Sequence, residues 1–340
     1  MSPQFVDFDA DGRIDIVAGT FDGSPHLVRG GEKGWGQAEQ IVDRDGSRIV
    51  LNQFWNFDTK KWDATKSHDA TGVVAEGHLT SAVAMDLDGD GDLDLLLGDH
   101  QSGRVFRRMN EGTSAKPAFT TVNEIVLAGG KPIDVPGTVA TLRLVDWNAD
   151  GLLDLACGGM GDAYGEDEGG GIYVFLNVGT KSASKFAAPI TLVERGKKGT
   201  EEPVRPDSGL YMDFGDHDRD GDLDIIVGGY SHWTPKARTL TAKEEARVAA
   251  LNEELASVAT STRTLMQSID DAVKDLDEAA AEKKRDELFE QNRDEYSTLG
   301  KRHQSLQEEL DPLVPGKNRT TCVWLYENLA RGAAPAAPLK

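Results

Sequence analysis

Residues 7–19 read DFDADGRIDIVAG, residues 86–98 DLDGDGDLDLLLG, residues 146–158 DWNADGLLDLACG and residues 216–228 DHDRDGDLDIIVG. All four blocks place Asp or Asn at positions 1, 3 and 5, Gly at position 6 and Asp at position 9, then continue into an apolar run that ends in Gly. Their first Asp residues stand at 7, 86, 146 and 216, in steps of 79, 60 and 70 residues. A unit recurring at such spacing reads as a propeller blade or a solenoid turn, which buries its apolar faces against its neighbours.

Short β-branched and aromatic runs flank the blocks. They precede three of them at 80–85 (TSAVAM), 139–145 (VATLRLV) and 209–214 (GLYMDF), and follow at 104–113 (RVFRRMNEGT), 172–180 (IYVFLNVGT) and 322–332 (CVWLYENLARG). Further strands are expected at 38–43, 119–127 and 186–193, so each unit reads strand, acidic turn, strand, turn, strand, strand. Four short strands per unit make a β-propeller blade. The last unit lacks residues for its outermost strand, because the chain runs on into GAAPAAPLK.

Residues 241–311 break the pattern, with one Gly (Gly300), no Pro and abundant Ala, Glu, Lys, Leu and Arg. Val248, Leu251, Leu255, Val258, Thr262, Leu265, Ile269, Ala272 and Leu276 form a heptad seam. A second, more polar seam runs through Leu288, Asn292, Glu295, Leu299, His303, Leu306 and Leu310. Because the strand near 321–327 must rejoin the unit left at 228, the segment is expected to fold back on itself. The expected fold class is therefore all-β: a small β-propeller of about four blades, interrupted by a long antiparallel α-helical (coiled-coil) hairpin. The expected domains are propeller blades over 1–240, the hairpin over 241–311, a last propeller strand within 312–330 and a flexible tail at 331–340.

The chain has 340 residues, 39% hydrophobic and 28% charged, as a globular protein does. Its 37 Lys and Arg against 58 Asp and Glu leave a formal charge of -21. That charge repels phosphate backbones and anionic lipid, so no nucleic acid partner is expected; with no apolar run long enough, no membrane insertion is expected either. Two Cys exclude a disulfide scaffold and a Cys-rich zinc site. Cys157 and Cys322, in strands of different units, read as free thiols.

The spacing of the acidic blocks suits a hard divalent cation. Alternating carboxylates on a tight loop point inward, Gly permits the bend, and the position-7 carbonyl adds an oxygen. The expected ligands are Asp7, Asp9, Asp11, Arg13 (carbonyl) and Asp15 in the first loop; Asp86, Asp88, Asp90, Asp92 (carbonyl) and Asp94 in the second; Asp146, Asn148, Asp150, Leu152 (carbonyl) and Asp154 in the third; and Asp216, Asp218, Asp220, Asp222 (carbonyl) and Asp224 in the fourth. The expected cofactor is Ca²⁺, up to four ions, in a structural role. An EF-hand is excluded, because its Glu at position 12 is replaced by Ala18, Leu97, Cys157 and Val227. A single Asp/Gly run reads as a solvated turn; four in phase do not.

The pattern D-x-[DN]-x-[DN]-G-x-x-D followed by an apolar run resembles the FG-GAP/VCBS-type repeat of calcium-binding β-propellers, including integrin α-subunit heads. The resemblance covers residues 4–240 and 320–330. It implies a calcium-stabilised binding or adhesion module, extracellular, periplasmic or at the cell surface; whether the chain is also an enzyme stays open. No signal peptide is read at Met1. Two departures stand out: the helical segment, and Asn148 in place of an Asp.

The face opposite the loops is expected to meet the ligand, a carbohydrate or a protein. Residues 44–79 bring Phe54, Trp55, Phe57, Trp62, His68 and His78; residues 159–171 and 229–235 add further long loops. The same aromatics also read as a small core anchoring a long loop. Asp162, Glu166, Asp167 and Glu168 read as an acid pair, a further cation site or a solvated loop. Two alternatives stay open: a polysaccharide lyase or hydrolase on that face, or a structural assembly protein that takes a partner or a second copy through its helices.

Overall fold

A computed structural model describes residues 3–65, 77–138, 141–161, 168–197, 199 and 201–329. His68, Asp162, Glu166, Asp167 and the tail at 331–340 lie outside the described residues. The chain divides into two compact units, one of residues 1–198, 203–232 and 319–340, the other of residues 199–202 and 233–318.

The first unit is built from antiparallel sheets, one per acidic block. β1 (Gln4–Val6), β2 (Asp15–Gly19), β3 (Pro25–Gly31) and β4 (Gly34–Gln40) form the first in that order. After a two-stranded ribbon, β5 (Gln53–Asn56) and β6 (Lys61–Ala64), the second sheet takes β7 (Leu79–Met85), β8 (Asp94–Asp99), β9 (Val105–Arg108) and β10 (Glu124–Ile125). A second ribbon, β11 (Leu127–Ala128) and β12 (Lys131–Pro132), leads to the third sheet of β13 (Thr141–Val145), β14 (Asp154–Gly158), β15 (Ile172–Phe175) and β16 (Ile190–Val193). β17 (Ser208–Gly215) and β18 (Asp224–Trp233) make the fourth sheet with β19 (Asn318–Tyr326), reached after the helices; among the described residues it has three strands.

Each sheet packs on the next. Val17, Leu79, Leu97 and Phe106 share one core between the first and second sheets. Val83, Leu96, Leu155 and Phe175 share a second core, and Ala156, Ile172, Met212 and Val227 a third. Polar stitches run along the leading strands. The Gln4 amide donates to the Ala84 carbonyl at 2.9 Å, the Leu142 N–H donates to Ser81 Oγ at 3.0 Å, and Thr141 Oγ1 donates to the Leu210 carbonyl at 2.7 Å.

The expected propeller does not form among the described residues, where the sheets are open with no closed barrel or ring. Four sheets here make three sheet-to-sheet cores, whereas a ring needs a fourth, joining the last sheet to the first. The faces that would supply it leave their apolar side chains in water: Phe5, opposite the Val17 face, is 60% exposed, and Val323 on β19 is 72% exposed.

The long antiparallel hairpin is likewise absent among the described residues. The second unit carries three helices: α1 (Ala242–Val273), α2 (Glu278–Gln291) and α3 (Arg293–Leu310). Thr241 opens α1 with a capping box to Glu244. The expected second arm breaks at Asn292, which leaves helical geometry (φ -102, ψ 10) and returns its side-chain amide to the Leu288 carbonyl at 2.7 Å. Its seam positions Asn292, Glu295 and His303 are polar and supply no continuous apolar stripe. Among the described residues of these helices, full burial is confined to Leu251 with Leu306 and Leu310, and to Leu265, Ile269 and Val273 at the end of α1.

Candidate metal centres

Each acidic loop leaves the first strand of its sheet and enters the second, and its own backbone shapes it. The position-1 carboxylate accepts the position-6 glycine N–H: Asp7 from Gly12 at 3.0 Å, Asp86 from Gly91 at 3.1 Å, Asp146 from Gly151 at 3.0 Å and Asp216 from Gly221 at 3.2 Å. The position-5 carboxylates of Asp11, Asp90, Asp150 and Asp220 accept the N–H of position 7. Two residues per loop are left-handed. Position 6 is always Gly, but position 4 is Ala10, Gly89, Ala149 or Arg219, at φ 57, 79, 55 and 66. A non-glycine there stores strain on the order of 1–2 kcal/mol. Only Gly89 avoids it, and a Cβ at Gly89 would also lie 2.3 Å from Ser182 Cα.

Position 9 acts as a buried staple. Asp15, Asp94, Asp154 and Asp224 each accept one N–H from position 2 (Phe8, Leu87, Trp147, His217) and a second from the far end of the third strand (Gly30, Asn110, Asn177, Asn328). Asn110 and Asn177 then turn their side-chain carbonyls onto the next loop, taking N–H bonds from Gly112 and Ala118, and from Gly179 and Lys185. These asparagines were not singled out as functional from the sequence, although the recurrent NEGT and NVGT carried the signal.

In three loops the carboxylates converge. One ligand oxygen each from Asp7, Asp9 and Asp15, from Asp86, Asp88 and Asp90, and from Asp216, Asp218 and Asp224 lie within 4.8 Å of one another. Oxygens held 2.3–2.6 Å from a single Ca²⁺ are at most about 5 Å apart, so these all-oxygen sets fit such an ion. The third loop gives no such set of three carboxylates, since position 3 is Asn148, whose side-chain oxygen accepts the Asp150 N–H at 3.2 Å while its amide donates to Asp150 Oδ2 at 2.9 Å. The first loop carries counter-charges of its own, Arg29 on Asp9 and Arg13 on Asp11.

Crowding leaves its mark on the acids. Burial, with the charges of Asp90, Asp88 and Asp86, pushes Asp92 up to about 6. Asp94 is also pushed to about 6, by burial that outweighs its N–H bonds from Asn110 and Leu87. Burial likewise raises Asp154 and Asp222.

At the opposite end of β2 and β8 lies an aromatic cluster. Phe21 and Trp62 meet edge to face at 5.4 Å, Trp62 lies 4.8 Å from His78, and His78 stacks on His100 at 4.4 Å. Phe21 is 69% exposed and Trp62 38%. Burial, helped by His100, pulls the His78 ring down to about 4, so it stays neutral near pH 7. Beneath, Asp22 gathers Ser24 N–H and Gln40 Nε2 at 3.0 Å each, and Arg48 at 3.0 Å. Phe21, His100 and Asp22 were missed from the sequence, because they sit in ordinary short turns that only the fold brings to Trp62 and His78.

No helix among the described residues is long and apolar enough to cross a membrane. A search of the curated proteins finds no match to the chain. The model of the FG-GAP-like repeat matches residues 86–157, from the second acidic loop to the strand after the third, so the chain carries an FG-GAP-like repeat in that region.

Proposed function

We propose that this protein is a binding or adhesion module whose sheets are locked by Ca²⁺ in the acidic loops. The observation that carries it is the convergence of three carboxylate sets at equivalent places in three repeats. Asp7, Asp9 and Asp15, Asp86, Asp88 and Asp90, and Asp216, Asp218 and Asp224 would hold the ion, with Asn148, Asp146 and Asp150 forming a weaker fourth site. The ion supplies positive charge that relieves carboxylate repulsion; the protein supplies the pre-shaped loop. The FG-GAP-like repeat suggests a binding or adhesion role.

The ligand surface in this reading is the Phe21, Trp62, His78 and His100 cluster, where exposed rings offer stacking to a carbohydrate or to a peptide segment. A glycan-array screen in calcium tests it: binding by the wild type and at least tenfold weaker binding by Trp62→Ala are expected on loss of a stacking partner. Equal binding by the variant would move the ligand site elsewhere.

The loops should not bind alike. The third has the least negative charge and its Asn148 amide is already committed to Asp150, so it should empty first at limiting calcium. Crystals grown across a calcium series check this. A different loop emptying first would show that ligand charge does not set the order.

A further inference from the structure

Position 7 was expected to contribute only a backbone carbonyl, and in the first and third loops it carries Arg13 and Leu152. In the second and fourth loops it carries Asp92 and Asp222. Asp92 is 4% exposed, yet its Oδ1 is sealed from solvent and meets no donor. Its carboxylate also touches the Asn110 side chain and lies in the field of Asp90, Asp88 and Asp86. Both oxygens of Asp222 are sealed from solvent and meet no donor, in the field of Asp220, Asp224 and Asp218. Among the described residues neither is paired with a Lys, Arg or His. A buried carboxylate oxygen without donor or counter-ion is strongly disfavoured, and the same defect recurs at the same loop position in two repeats.

We propose that the side chains of Asp92 and Asp222 hold the cation of their loops through a bound water, which makes the second and fourth loops a tighter pair of calcium sites than the first and third. This rests on the reading of the loops as calcium sites. Neither side chain belongs to the sets whose oxygens lie within 4.8 Å of one another, so each orphaned oxygen is the place of a water bound to the ion rather than of the ion itself. Higher ligand charge strengthens calcium binding, so four repeats of one pattern divide into two pairs by a single residue each.

Calorimetric titration of the full chain with CaCl₂, together with melting in EGTA, tests it. Asp92→Asn should weaken one of the tight sites about tenfold and raise the melting temperature in EGTA, because the orphaned charge is gone. Asp222→Asn should do the same to the other tight site, and Leu152→Asp should tighten the weakest. If the wild type binds calcium and both Asn variants keep every affinity, the proposal is overturned while the loops remain calcium sites. If the wild type binds none, the underlying reading fails first. Should Asp92→Asn not fold, Asp222→Asn and Leu152→Asp decide the outcome alone.

Discussion

Removing calcium with EGTA is expected to lower the melting temperature by roughly 15 °C. An ion that binds only the folded state stabilises it by about 2.7 kcal/mol per site at a hundred times its dissociation constant, and three convergent sites give about 8 kcal/mol. At about 2 °C per kcal/mol for a unit of this size, the shift follows. The empty loops add to it, since Asp92 and Asp94 are held charged near pH 7 against burial and their neighbours. Ca²⁺ should restore the transition and Mg²⁺ should restore little, because Mg²⁺ requires a tighter octahedron and gives up its water reluctantly. Scanning calorimetry in EGTA, CaCl₂ and MgCl₂ checks this. Superimposed curves in EGTA and CaCl₂ would remove calcium from the account of this fold.

Asp154→Ala is expected to destabilise the protein by about 2–6 kcal/mol even without calcium. Asp154 is fully buried, and its two oxygens accept the Trp147 N–H at 3.0 Å and the Asn177 N–H at 2.7 Å. Truncation leaves both donors without a partner at about 1–3 kcal/mol each. It also frees Asn177, which organises the following turn. Asp150→Ala, at an exposed position of the same loop, removes the acceptor of the Leu152 N–H and of the exposed Asn148 amide, both of which water can replace, and should cost under about 1 kcal/mol. Urea unfolding of both variants in EGTA separates stapling from ion binding. Equal losses would mean that position 9 acts only through the ion.

The open arrangement of the sheets has a physical cause. The acidic repeat specifies a sheet and its packing on the next sheet, because the apolar residues of β8 and β14 face both neighbours: Leu95 and Leu97 on one side, Leu96 on the other. Nothing in one repeat says how many will stand in a row or whether the last meets the first, and here the outer faces stay exposed. The helices failed for a related reason. A heptad seam promises two continuous arms only if both partners are apolar, and Asn292 caps a helix where the seam needed a buried side chain.

The sequence by itself determined the acidic loops, the strands around them, the left-handed glycine at position 6 and the start of α1 at Thr241, because each depends on side chains within a few residues of one another. Only the tertiary structure decided the rest. Asp224 meets the Asn328 N–H across 104 residues and an entire helical unit. Phe21 finds Trp62, Arg29 finds Asp9 and the Asp92 oxygen finds no donor through packing alone. Turn chemistry is local and therefore legible along the chain, whereas the partner of a buried charge and the fate of an apolar face are set by which distant segments arrive beside them.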